Sequence, residues 1–139
     1  LWRECGTDPS AWNARLAEPP AHWHDSHWPD VEHTPGFDPY GRCRSLPVRQ
    51  TLDVLRACDL PFLEGLAGSL DEIEAQVGLP LAMSGAAAAA FTALELQPEQ
   101  AEMLYLLLRL PGAAVHALEQ KAYGWRNYPF FKDGLVLTG

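Results

Sequence analysis

The sequence predicts an all-α protein, multi-helical after residue 46, with an irregular N-terminal segment and an extended C-terminal tail. Three observations carry that expectation. Leu63, Leu66, Leu70, Ile73 and Val77 recur at three- and four-residue spacing, the period of one helix face. Pro61, Gly78, Pro80, Pro98 and Pro111 punctuate the apolar stretches where helices start or stop. The later stretches, a run of five alanines after Gly85 and the block Met103 to Leu110, lack a broad polar face, as buried or interface helices do.

Two regions follow from composition, residues 1–46 and residues 47–139. The first holds seven acids, four arginines, four of the five tryptophans, four of the five histidines and six prolines. A helix is expected from Ser10 to Glu18, capped by Ser10 and stopped by Pro19-Pro20. Irregular chain is expected from there to Cys43, with Ala21 to Pro35 the most mobile stretch and the tryptophans packing part of the segment down. In the second region, Ser45 caps a helix with Pro47 in its first turn, and Val48, Leu52, Leu55 and Ala57 supply its apolar face. The next helix runs from about Pro61 to Val77 and is closed by Gly78 and Pro80. Ser84 then caps a helix from Gly85 to Leu96. Pro98 opens a fourth helix through Arg109, and Pro111 opens a fifth that ends at Gly124. The tail from Tyr123 to Gly139 is read as extended chain wrapped over a neighbour.

The 139 residues carry a formal net charge of −8, with 47% hydrophobic and 20% charged residues. This is the balance of a folded globular chain. Acidity argues against nucleic acid or an anionic membrane as an electrostatic partner. Cys5, Cys43 and Cys58 are odd in number and unrelated in spacing, so neither a disulfide framework nor a zinc site is expected, and a reducing cytoplasm fits. The longest apolar span, Met103 to Leu118, is interrupted by Arg109 and Pro111 and reads as too short to cross a bilayer. No metal or permanently bound cofactor is expected. The cluster His22-Trp23-His24-Asp25-Ser26-His27, with Asp30 and His33, holds ligand-type side chains, but an irregular segment fixes no geometry for them and a solvated loop is the expectation. No phosphate-binding loop and no nucleophile elbow occurs.

Arg109 carries the one basic charge between Leu79 and Leu118, where Glu95, Glu99 and Glu102 are the other charges. A cation in so apolar a stretch needs a carboxylate, a carbonyl or an anionic ligand. Pairing with Glu102 or Glu95 across helices satisfies that need. So does an anion site. The segment Arg109-Leu110-Pro111-Gly112-Ala113-Ala114-Val115-His116-Ala117-Leu118-Glu119-Gln120 resembles the C-terminal signature of the citrate synthase superfamily, which includes citryl-CoA lyases. Gly124-Trp125-Arg126-Asn127-Tyr128-Pro129 is similar to that family's tail, and Pro35-Gly36-Phe37 to the start of its P-G-F-G-H-P motif.

The resemblance implies an all-α homodimer of which this chain matches the C-terminal half. It implies a site for a di- or tricarboxylate, such as citrate or oxaloacetate, and for an acyl-CoA thioester as substrate, with carbon–carbon bond formation or cleavage as the reaction. Arg109 and Arg126 would hold carboxylate, with Arg44 as a third contact, since Arg42-Cys43-Arg44 stands where the family has Asp-Pro-Arg. The chain departs at the catalytic positions. Asp38-Pro39-Tyr40 replaces the histidine of the motif, and no aspartate precedes Ser84-Gly85. Asp38 is the one candidate for a displaced base, and His116 is expected to pair with Glu119 in a structural role. A non-catalytic partner subunit of the same family, and a plain helical dimerisation module, are the alternatives. The dimer is expected to use Gly85 to Leu96 and Pro98 to Leu110.

Overall fold

The computed structural model describes residues 1–17 and 34–123, with side chains through 121. Among these residues six helices follow in order: α1 (Trp2–Cys5), α2 (Pro9–Ala17), α3 (Leu46–Arg56), α4 (Pro61–Val77), α5 (Met83–Ala93) and α6 (Pro98–Tyr123). Among the described residues the one β feature is an isolated antiparallel bridge between Phe37 and Leu81. The all-α expectation therefore holds. The expected tail beyond Tyr123, the histidine cluster at residues 22–33 and the mobile stretch Ala21 to Pro35 (but for its last two residues) lie outside the described residues.

The chain divides into two units, Leu1–Ala101 and Glu102–Gly139. The first is built around α4, which packs against α2, α3 and α5, while α1 closes on α2 and α5. The heptad-like spacing of α4 places Leu63, Leu66, Leu70 and Ile73 on one buried face. Gly78 ends the helix at φ 75°, a left-handed conformation that a side chain disfavours. On α5 the buried residues are Gly85, Ala86, Ala89 and Phe91, so small side chains let neighbouring backbones approach closely. This alanine-rich helix is covered by α1, α3 and α4 of its own chain.

The expected boundary at 46/47 does not divide the packing. Trp2, Cys5, Trp12 and Phe37 are buried in one cluster with the α4 leucines and Leu81. Trp2 and Trp12 meet edge to face at 4.7 Å, and Trp12 meets Phe37 at 5.6 Å. Each indole N–H finds a carbonyl: Trp2 Nε1 donates to Gly85 O and Trp12 Nε1 to Gly6 O, both at 3.1 Å. These rings fold down because large apolar area outweighs the cost of ordering chain, provided the polar tip is satisfied. The short helix α1 was not legible beforehand: four residues give no periodicity to read.

Several helix boundaries shift for local reasons. Helix α2 starts at Pro9, and its first turn is capped by Asp8, whose Oδ1 accepts the Ser10 N–H at 2.9 Å. Ser10 is thus inside the helix, and Asp8-Pro9 is the start signal. Ser45 occupies the N-cap position of α3 with Pro47 in the first turn, but its hydroxyl makes no cap bond. Helix α5 begins at Met83 with Ala82 as N-cap, so Ser84 lies within it. The largest correction concerns Pro111. It opens no new helix; α6 runs through it for 26 residues. A proline inside a helix removes one N–H and crowds the preceding turn, but intact turns on both sides carry the helix across.

Candidate functional site

Two places in the chain gather the residues that the sequence singled out. The first lies in the Leu1–Ala101 unit, where the loop of residues 38–45 passes the C-terminal end of α4. Arg44 Nε donates to Glu74 Oε1 at 2.7 Å and Nη2 to Glu74 Oε2 at 3.0 Å, a two-point carboxylate fork, and Nη2 also reaches Asp71 Oδ1. Glu74 Oε1 accepts the Leu81 N–H as well, at 2.8 Å. One carboxylate therefore ties the Arg44 loop, α4 and the segment before α5 together. Bonding to Glu74 holds the Arg44 guanidinium above its ordinary range; burial opposes that shift and Asp71 adds to it. The cation is four-fifths covered and its forks are already filled by two carboxylates. An incoming anion would have to displace one of them.

Around this pair lies an open cavity of about 810 Å³, whose lining includes Arg42, Cys43, Arg44, Arg49, Asp71 and Glu74. Arg42 and Arg49 make no ion pair among the described residues. The cavity wall thus mixes three arginines with two acids. Sequence reading named Arg44 but not Arg49, which lies one turn into α3 and shares no local motif with it.

Asp38 serves the turn. Its Oδ1 accepts the Tyr40 N–H at 2.9 Å, and its backbone N–H donates to Pro80 O at 2.8 Å. An aspartate closing an Asx turn shapes backbone first. Next to it Gly36, at φ 90°, accepts the Ala82 N–H at 2.9 Å through its carbonyl. A Cβ on Gly85 would run into that same carbonyl oxygen, so the Pro35-Gly36-Phe37 stretch and Ser84-Gly85 meet backbone to backbone.

The second place is α6. Met103, Leu106, Leu107, Leu108, Leu110, Val115 and Leu118 are each more than half exposed. Arg109 lies among them, exposed, and makes no ion pair with any described residue. Glu102, on the same helix, makes no ion pair with it. His116 Nδ1 lies 3.2 Å from Glu119 Oε2, the i, i+3 pair that the spacing implied. Leu106, Arg109, Leu110, Ala113, His116 and Ala117 line one concave face, where glycine and alanine replace the leucines of the preceding turns. Arg126 lies outside the described residues, so the proposed carboxylate clamp is represented by Arg109 alone on this helix.

The helix is also long and apolar enough to cross a bilayer by length and composition: the span Pro98–Lys121 reaches a mean hydropathy of 1.2 over 18 residues. Its continuity through Pro111 removes one of the two interruptions that the sequence suggested. The other, Arg109, sits at the midpoint of the span. All three cysteines are free thiols, Cys5 buried and the other two exposed. Among the described residues no three histidine, cysteine or acidic side chains gather as a metal site. No protein-family model, curated protein or solved structure matches the chain, so the likeness to citrate synthases stands on its motif residues alone.

Proposed function

We propose that the chain is a helical self-association module: a folded α-helical unit that carries an apolar helix, α6, which is covered by α6 of a second copy. The observation behind this reading is the row of seven large apolar side chains on α6, each more than half exposed. Such a face on a folded chain marks a surface that another molecule covers. Counted over two copies, covering those exposed portions contributes at most on the order of 10–20 kcal/mol. Association itself costs roughly 4–15 kcal/mol. A micromolar complex needs a surplus of about 8 kcal/mol, which lies inside the range those two figures leave.

A bilayer is the competing cover, and Arg109 weighs against it. A charged residue at the centre of a spanning helix costs roughly 2.5–3.5 kcal/mol on insertion scales. Between two protein helices the same guanidinium reaches solvent or an acid at the rim. Sedimentation of the full chain from one to a hundred micromolar tests the reading. A concentration-dependent shift to dimer supports it; a monomer throughout, or a chain that partitions into neutral lipid vesicles instead, overturns it.

A second reading is kept alive by one observation, the absence of an acid partner for Arg109 among the described residues. It is the carboxylate-binding role that the resemblance implies, in an impaired citrate synthase- or citryl-CoA lyase-like protein or in a partner subunit of that family. Bound citrate or oxaloacetate would stabilise the fold by RT ln(1 + [L]/Kd), roughly 2.7 kcal/mol at a hundredfold excess over Kd. Under this reading millimolar citrate raises the melting temperature of wild type and leaves Arg109→Leu and Arg126→Leu unmoved. No rise in wild type removes it. Condensation of acetyl-CoA with oxaloacetate is expected to be very slow or nil, because the matched positions lack histidine and aspartate.

A further inference from the structure

We propose that two α6 helices pair antiparallel, in a register set by two reciprocal ion pairs, Glu102 of each copy with Arg109 of the other. This rests on the self-association reading and gives it a geometry. The densest apolar block of α6 runs from Met103 to Leu110, every residue of it apolar except Arg109. Glu102 borders the block at its N-terminal end and Arg109 stands near its C-terminal end. They are seven residues apart, about two turns, so both project from the same side of the helix. Neither makes an ion pair with any described residue, and both are exposed.

This block therefore has an acid at one end and a base at the other, along a single edge. Laying two copies parallel and in register puts this edge on opposite sides of the seam in the two copies, so no Glu102 meets an Arg109 of the other. Turning one copy end for end brings the same edges together and sets each acid beside a base. The midpoint of the pair Glu102 and Arg109 falls between Tyr105 and Leu106, within one residue of the centre of the apolar block. One arrangement thus satisfies both charges and superposes the two blocks, Met103 and Leu104 of one copy lying over Leu107 and Leu108 of the other. The neighbouring antiparallel register, one heptad further along, sets Arg109 against its own symmetry mate and moves the blocks apart. Like charges at a pairing edge disfavour that register, and opposite charges select the first. A two-fold interface of this kind is self-complementary, which is the property a second copy needs and an unrelated partner does not.

Charge reversal in the full chain tests the register. Glu102→Arg alone and Arg109→Glu alone each set like charges face to face twice per dimer. Each is expected to weaken dimerisation tenfold or more in sedimentation at low salt, since truncating or reversing one partner of a close charge pair costs on that scale. The double variant Glu102→Arg/Arg109→Glu restores opposite charges in the antiparallel register and is expected to return to within about threefold of wild type. Circular dichroism and melting of the three variants check that the fold is retained; both positions are exposed, so little change is expected. A dimer indifferent to both single reversals, as parallel pairing predicts, overturns the antiparallel register and leaves self-association standing. So does a double variant no better than the singles. A wild-type chain that stays monomeric, or that enters lipid vesicles, overturns both.

Discussion

Glycine at position 85 shows how much of this fold hangs on single atoms. The Gly36 carbonyl lies where a Cβ on residue 85 would stand, and the Trp2 indole donates to the Gly85 carbonyl from another side. Gly85→Ala is expected to force the Gly36 turn away from α5 and to cost roughly 1–3 kcal/mol, the scale of overpacking in a filled core. Urea unfolding measures this directly; an unchanged midpoint would mean the turn gives way freely. Cys5 yields a pH dependence. Its burial, at the end of α1, pushes the thiol above the ordinary 9.0, with the nearby N-terminus opposing. The folded chain then holds that proton more tightly than the unfolded chain. Stability from this group is complete below pH 9 and is lost as pH rises towards the folded value. The stability gap between wild type and Cys5→Ala should therefore narrow as pH rises above 9. A gap constant to pH 10.5 would contradict a buried, proton-holding thiol. By contrast Glu74, which fastens three segments, was invisible as a linchpin. Its partners Arg44 and Leu81 are fixed by tertiary folding and by no local spacing.

At the scale of elements, periodicity served where one face is buried and failed where it is not. Helix α4 was legible almost to the residue, because Leu63, Leu66, Leu70 and Ile73 mark its inward face and Pro61 and Gly78 its ends. Helix α5 was legible as a helix, but its role was not. Alanines pack inside a fold or at an interface equally well, and of these Ala86 and Ala89 are buried in the chain's own fold, where α5 meets α1, α3 and α4. At Pro111 local chemistry misled, since a proline starts one helix as readily as it interrupts another. The interruption leaves its mark: the Leu107 carbonyl, four residues earlier, lacks the N–H that an ordinary helix would supply. Pro111→Ala restores that donor and is expected to stabilise the helix locally, by up to about 3 kcal/mol on the propensity difference. Amide exchange across residues 108–114 should slow accordingly. Exchange as fast as in wild type would show that the helix ends of α6, rather than Pro111, govern its opening.

The molecule as a whole presents a contrast between a unit with a buried apolar cluster and a helix whose large apolar side chains are mostly exposed. Unit Leu1–Ala101 gathers Trp2, Trp12, Leu63, Leu66 and Leu70 in one buried cluster. The protection of α4 amides against exchange should thus be independent of protein concentration. Protection of α6 should rise with concentration through the micromolar range if a second copy covers it. Equal protection at one and at a hundred micromolar would remove the self-association reading. The candidate site was legible in part at this scale too. Arg109 stood out because its charge is alone in an apolar stretch, and the structure leaves it exposed. Arg44 was named through a motif, and folding spends its charge on Glu74 and Asp71.

The Trp2 contact with Gly85 spans 83 residues of chain. Helix α1 has little to dock on until α5 exists, because its other neighbour, α2, itself rests on α4. As the chain leaves the ribosome its first residues must therefore wait, with two tryptophans uncovered, through the synthesis of most of the unit. Sequence-distant closures of this kind slow folding and lengthen the exposure of sticky surface. Slowing translation between residues 20 and 80 would prolong that wait without altering a single contact of the finished protein.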